Sequence, residues 1–96
     1  MDTNKLSTWC DNNDYSIIHY DNYVYRLEHD YNEFITQIIY VDISRCKVVN
    51  GYVKRESNLF FVKDDIHELF IPLNNVKRDA DLLEGHLKNE KNTIKH

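Results

Sequence analysis

Phe34-Ile35-Thr36-Gln37-Ile38-Ile39-Tyr40-Val41-Asp42-Ile43 is the stretch on which the fold turns. In an extended chain, Ile35, Gln37, Ile39, Val41 and Ile43 share one face, while Phe34, Thr36, Ile38 and Tyr40 share the other. Both faces are mainly apolar. A strand with one wet face alternates polar and apolar residues, so a segment that is apolar on both faces reads as the centre of a sheet. Its β-branched and aromatic residues suit a pleated backbone, where a stiff χ1 costs little.

Toward the N-terminus, residues 15–29 read as a β-hairpin. Two apolar and aromatic runs flank Asp21-Asn22, a pair able to take the positive φ angles of a two-residue turn. That turn sets Tyr20 opposite Tyr23, Ile18 opposite Tyr25 and Ser16 opposite Leu27. It gathers Ile18, Tyr20, Tyr23, Tyr25 and Leu27 on the core side. Asp30-Tyr31-Asn32-Glu33 is the following turn. Residues 1–13 are expected to be flexible or locally helical, with Leu6 and Trp9 one turn apart and able to dock together.

Toward the C-terminus, two turns compete. Ser44-Arg45 closes a hairpin that leaves Gly51 at a bulge, whereas Asn50-Gly51 is a strong hairpin signal in its own right. The first is preferred, because a strand reaching from Phe34 to Val49 would be unusually long. Residues 59–62 and 67–73 read as two further short strands, with Pro72 near the end of the second, where a missing donor costs least. From Asn74 the period changes. Val76, Ala80, Leu83 and Leu87 form one helical stripe, with Asn74 or Asn75 as cap and Gly85 as a weak point. Residues 89–96 are expected to be a flexible tail. The reading is an α+β protein, mainly β: an antiparallel meander of about six short strands, as a small barrel or curled sheet, with one C-terminal helix. It forms a single domain over residues 14–88.

Ninety-six residues, 42% hydrophobic and 29% charged, hold one such domain and little else. Two Gly and one Pro leave no material for a phosphate-cradling glycine loop. Motifs for P-loop nucleotide binding, zincin chemistry and α/β-hydrolase catalysis are missing. Cys10 and Cys46 stand alone, with no His within four residues of either. They read as reduced thiols, and neither a metal site nor a cofactor is expected. Asp64, Asp65 and His67 are the best acid–base candidates, yet they fall at a solvated turn. The chain is therefore expected not to be an enzyme. Its longest apolar run is too short to span a bilayer, and no apolar leader follows Lys5, so a cytoplasmic location is expected and membrane contact is not.

The charge is uneven. Residues 1–44 carry eight acids and two bases, net −6, whereas residues 45–96 carry ten bases and eight acids, net +2. Most of the seven Tyr lie in the acidic part. Tyr covers contact area at little rotamer cost, and acids around it suit a basic partner. The leading expectation is a macromolecule-binding protein, a small inhibitor or adaptor of the kind a virus or mobile element encodes. It would dock a partner protein through Tyr15, Glu28, Asp30, Tyr31 and Glu33. The alternative is single-stranded RNA or DNA held by Arg45, Lys47, Tyr52, Lys54 and Arg55, since aromatic and basic groups on a β surface stack bases and meet phosphates. The net charge of −4 speaks against it. A homodimer through an edge strand is a further expectation.

Overall fold

A computed structural model describes residues 3–61 and 67–93, with side chains described as far as Lys88. Five strands form one antiparallel meander: β1 (Ser16–Asp21), β2 (Val24–Asp30), β3 (Ile35–Asp42), β4 (Lys47–Arg55) and β5 (Asn58–Phe61). Helix α1 (Thr3–Asn13) precedes them, and a 3-10 turn (His67–Leu69) leads into α2 (Phe70–Thr93). The protein is α+β and mainly β, as the patterning implies. Its sheet is open, with β1 and β5 at the two edges.

β3 lies in the centre, and Gln37, Ile38, Ile39 and Val41 are all buried on it. The face bearing Leu27, Ile39, Val41 and Val53 packs under α2, which contributes Leu73, Val76, Leu83 and Leu87. Leu6, Trp9 and Cys10 of α1 close the same core from the side. Helix α1 ends in a Schellman arrangement. Asp14 takes φ 60°, the Tyr15 amide donates to the Cys10 carbonyl at 2.9 Å, and the Asn13 side chain donates to the Trp9 carbonyl at 2.7 Å.

Gly51 decides how closely α2 approaches. It sits opposite Ile39 on the core face, and a Cβ added there would lie 3.0 Å from Cγ1 of Val76. Glycine at this position leaves room for the Val76 side chain against the sheet. The bulge falls beside Gly51 rather than on it: Tyr40 pairs with Asn50 but Val41 with Val48, so Val49 is the extra residue. At this break the Val48 amide donates to Glu84 Oε2 of α2 at 2.8 Å. Asp42 builds the β3–β4 turn by accepting from the Ser44 amide and hydroxyl and from the Arg45 amide, with Cys46 at φ 52°. The turn through Ser44-Arg45 is thus the one formed.

Three expectations are corrected. Residues 67–73 are not a strand. Leu69 and Leu73 extend the helical stripe of Val76 backward, and Pro72 sits in the first turn of α2, where its missing N–H would have had no intrahelical partner. The expected strand at 59–62 is β5; residue 62, and the expected turn at Lys63-Asp64-Asp65, lie outside the described residues. The second correction is a one-residue slip in the first hairpin. Ser16 pairs with Glu28, Ile17 with Leu27, Ile18 with Arg26 and His19 with Tyr25. The turn is Asn22-Tyr23, with Asn22 at φ 43°, and a bulge between His19 and Asp21 takes up Tyr20. A slip of one exchanges faces, so Ile18 and Tyr20 leave the core side and Ile17 joins Leu27. The C-terminal end of α2 reaches Thr93, inside the segment expected as tail.

Candidate interaction surface

The face of the sheet turned away from α2 carries the side chains of four cross-strand rows. Asp30, Thr36, Lys54 and Leu59 make the first; Ser16, Glu28, Ile38, Tyr52 and Phe61 the second; Ile18, Arg26, Tyr40 and Asn50 the third; Asp21, Val24, Asp42 and Lys47 the fourth. Residues directly opposite or one step diagonal across strands are close enough for aromatic rings to meet. A chain of rings follows. Tyr20 meets Tyr40 edge-on at 4.9 Å, Tyr40 stacks on Tyr52 at 6.2 Å, and Tyr52 meets Phe61 at 5.5 Å. Ile38 is fully buried among these side chains, outside the main core cluster.

Arg26 ties the third row to the second. Its guanidinium carbon lies 5.9 Å from the Tyr40 ring centre, and Nη1 donates to the Tyr40 hydroxyl at 3.3 Å. Nε stands 2.6 Å from Glu28 Oε2, an ion pair whose angle falls outside hydrogen-bond geometry. Desolvation works against the Arg26 charge, but Glu28 and the Tyr40 and Tyr52 hydroxyls outweigh it and raise its pKa. Burial, with the Tyr40 hydroxyl next to it, pushes the Tyr52 phenol up to about 12. Between the rings and the β4 bulge lies a shallow cleft of about 490 Å³, bounded by Tyr20, Val24, Tyr40, Val49, Tyr52 and Leu59. Tyr20, Val49 and Leu59 are exposed, at 63%, 43% and 48%. Apolar walls with Asn50 and phenolic oxygens at the rim suit an apolar anchor flanked by hydrogen-bonding groups.

The residues expected to bind protein separate. Glu28 lies on this open face, and Asp30 follows at the end of β2, accepting from the Thr36 hydroxyl at 3.1 Å. Tyr31 and Glu33 are exposed in the β2–β3 turn. Tyr15 is withdrawn into the core: its hydroxyl donates to Asp79 Oδ2 at 2.7 Å and accepts from Gln37 Nε2 at 3.0 Å. Asn75 Nδ2 donates to Gln37 Oε1 at 3.1 Å, and Arg78 donates to Asp79 Oδ1, so the network ties α2 to β3. Burial above all, then the Asp79 carboxylate, raises the Tyr15 pKa. Tyr15 thus lies in the core, apart from the other four.

The basic set does not converge either. Arg45 pairs with Asp42 at 3.0 Å, and Lys47 stands opposite that same carboxylate. Hydrogen bonds from Ser44, and then the Arg45 side chain, hold the Asp42 carboxyl below its ordinary pKa despite some opposing desolvation. Arg55 pairs with Glu68 at 3.2 Å and lies over the Phe60 ring. Lys47, Tyr52 and Lys54 share the open face, with Lys47 and Lys54 toward opposite ends of β4. His67 is exposed at the start of the 3-10 turn, while Asp64 and Asp65 lie outside the described residues. Among the described residues, no three His, Cys, Asp or Glu side chains gather as metal ligands, and no helix is long and apolar enough to cross a membrane.

Sequence reasoning missed the run Tyr20–Tyr40–Tyr52–Phe61. The signal was the second apolar face of β3, Ile38 and Tyr40, which needs neighbours from β4 and β5 to be covered. Compared with known proteins, the chain matches no protein family, no curated protein and no solved structure.

Proposed function

We propose that the chain is a non-enzymatic binding module that docks a partner protein on the open face of its sheet. The observation that carries this reading is the aromatic cleft of about 490 Å³ between Tyr20, Tyr40, Tyr52 and Leu59. A sheet face stripped of its second layer ordinarily alternates to polar residues. Here it keeps a run of rings, a buried Ile38 and exposed Leu59 and Val49. Aromatic anchors beside an apolar pocket are the groups on which protein interfaces concentrate their binding energy. Asp30 and Glu33 add an acidic flank, while Glu28 is paired with Arg26; this favours a partner with basic residues around an apolar anchor.

Of the basic groups expected to hold nucleic acid, Lys47 and Lys54 share the open face but stand toward opposite ends of β4, and Arg45 and Arg55 are paired with Asp42 and Glu68. The protein reading is therefore preferred over the nucleic-acid one. Affinity capture from the cells of origin tests it with three forms of the full chain: wild type, Tyr20→Ala/Leu59→Ser, and Leu82→Ser on the exposed side of α2. A protein held by wild type and by Leu82→Ser but lost from the double variant is the expected result. Equal retention by all three places the contact elsewhere and overturns the reading. Salt-sensitive binding of mixed single strands would transfer support to nucleic acid, because counterion release makes phosphate contacts steeply salt-dependent.

A further inference from the structure

We propose that the outer edge of β1 pairs antiparallel with β1 of a second copy, joining the two sheets into one. This goes beyond the docking reading and does not depend on it. Among the described residues no strand pairs with that edge, so β1 ends the sheet with backbone N–H and C=O groups unmatched by any ladder. Sheets ordinarily blunt such edges with shortness, Pro, Lys or an overlying element. The opposite edge, β5, is only four residues long. β1 has six, reads Ser-Ile-Ile-His-Tyr-Asp, and is exposed along its whole length. Ile17 and Ile18 present apolar surface on both faces, at 36% and 47% exposure, and the one bulge comes at the far end, between His19 and Asp21.

The charge pattern selects a second copy over another protein. A two-fold axis normal to the sheet sets each central residue near its own equivalent, so a charge there would meet its like. No residue from Ser16 to Tyr20 carries a fixed charge; the nearest acids, Asp14 and Asp21, flank the strand. Residues facing one another across such a seam must share a face. Centring the axis on Ile18 satisfies this: Ile18 meets the partner's Ile18, Ile17 meets the partner's His19, and Ser16 meets the partner's Tyr20. Both α2 helices then lie on one side of the joined sheet, and the two open faces become continuous.

Sedimentation equilibrium on the full chain, over a wide concentration range, should show a closed monomer–dimer equilibrium. Ile18→Lys should raise the dissociation constant about a hundredfold, through lost apolar burial on both copies and two facing cations. Leu59→Lys, beside the other edge, should leave it unchanged. Ile18→Cys should give a cross-linked dimer on mild oxidation, and Leu59→Cys should not; this arm decides the matter if Ile18→Lys does not fold. A wild-type chain that stays monomeric throughout overturns the proposal. So does a dimer that survives Ile18→Lys, one lost with Leu59→Lys instead, or open-ended growth with concentration.

Discussion

The two faces of the sheet use similar residues to opposite ends. On one, Leu27, Ile39, Val41 and Val53 are covered by α2 and fully buried. On the other, Tyr20, Tyr40, Tyr52 and Phe61 lie against one another, with the guanidinium of Arg26 over the Tyr40 ring. The helix-covered face earns its stability from burial. The open face keeps much of its apolar area in water, which a binding partner can later remove. Residue type does not distinguish the two, but the presence of a second layer does.

The sharpest way to test this contrast is truncation on each side. Ile39→Ala on the covered face should cost about 2–5 kcal/mol, seen as a lower urea midpoint, because α2 and β3 cannot collapse into the space left. Leu59→Ala on the open face should shift stability by only about 0.5 kcal/mol, since its side chain is already half in water. Equal losses would mean that the open face is a second core and not a docking surface.

A smaller effect probes the network that fastens α2 to the covered face. Tyr15→Phe should cost about 1–3 kcal/mol, since it leaves Asp79 Oδ2 and the Gln37 amide without their partner. It should also alter the alkaline limb. Burial, with Asp11 nearby, pushes the Cys10 thiol up from 9.0 to about 12, and burial likewise raises Tyr15. An acid whose folded pKa is raised adds stability at every pH below its unfolded value, and that contribution drains as pH climbs above it. Stability should therefore fall from about pH 9 upward, with a shallower slope in Tyr15→Phe, as read from urea midpoints across the pH range.

Two glycines sharpen the contrast further. Gly51→Ala should destabilise by about 1–3 kcal/mol, because its Cβ would press on the buried Val76 side chain; Val76→Ala in the same chain should return part of that loss. Gly85 has nothing within 4 Å of an added Cβ. Gly85→Ala should accordingly stabilise α2 by about 0.5–1 kcal/mol, measured as a modest rise in Tm.

Much of the architecture was legible in the sequence. The run around Ile38-Ile39, apolar on both faces, marks the central strand, and the Val76–Leu83–Leu87 spacing marks the helix over it. The misreadings share one physical cause. Asp21-Asn22 and Asn22-Tyr23 are comparable as turns, and a hairpin of Ile and Tyr on both faces is nearly indifferent to a slip of one residue. Likewise Pro72 is as acceptable in the first turn of a helix as at the end of a strand, so residues 67–73 fit either period locally. Within the candidate site, Glu28, Asp30, Tyr31 and Glu33 could be read from composition. The aromatic run could not, because it is assembled from β1, β3, β4 and β5 by a register that local sequence leaves open.

By itself the sequence determined that this chain is a meander of short strands around Phe34–Ile43 followed by an amphipathic helix, since those facts follow from side-chain period and turn chemistry. Only the tertiary structure decided which Tyr is buried and which is presented. Tyr15 becomes a bolt between β3 and α2, while Tyr20 stands at the rim of the open cleft. A phenol ring is at home in either place, apolar in its body and polar at its tip. Its fate is set by whether a second layer, here α2 with its close approach at Gly51, covers the face on which it falls.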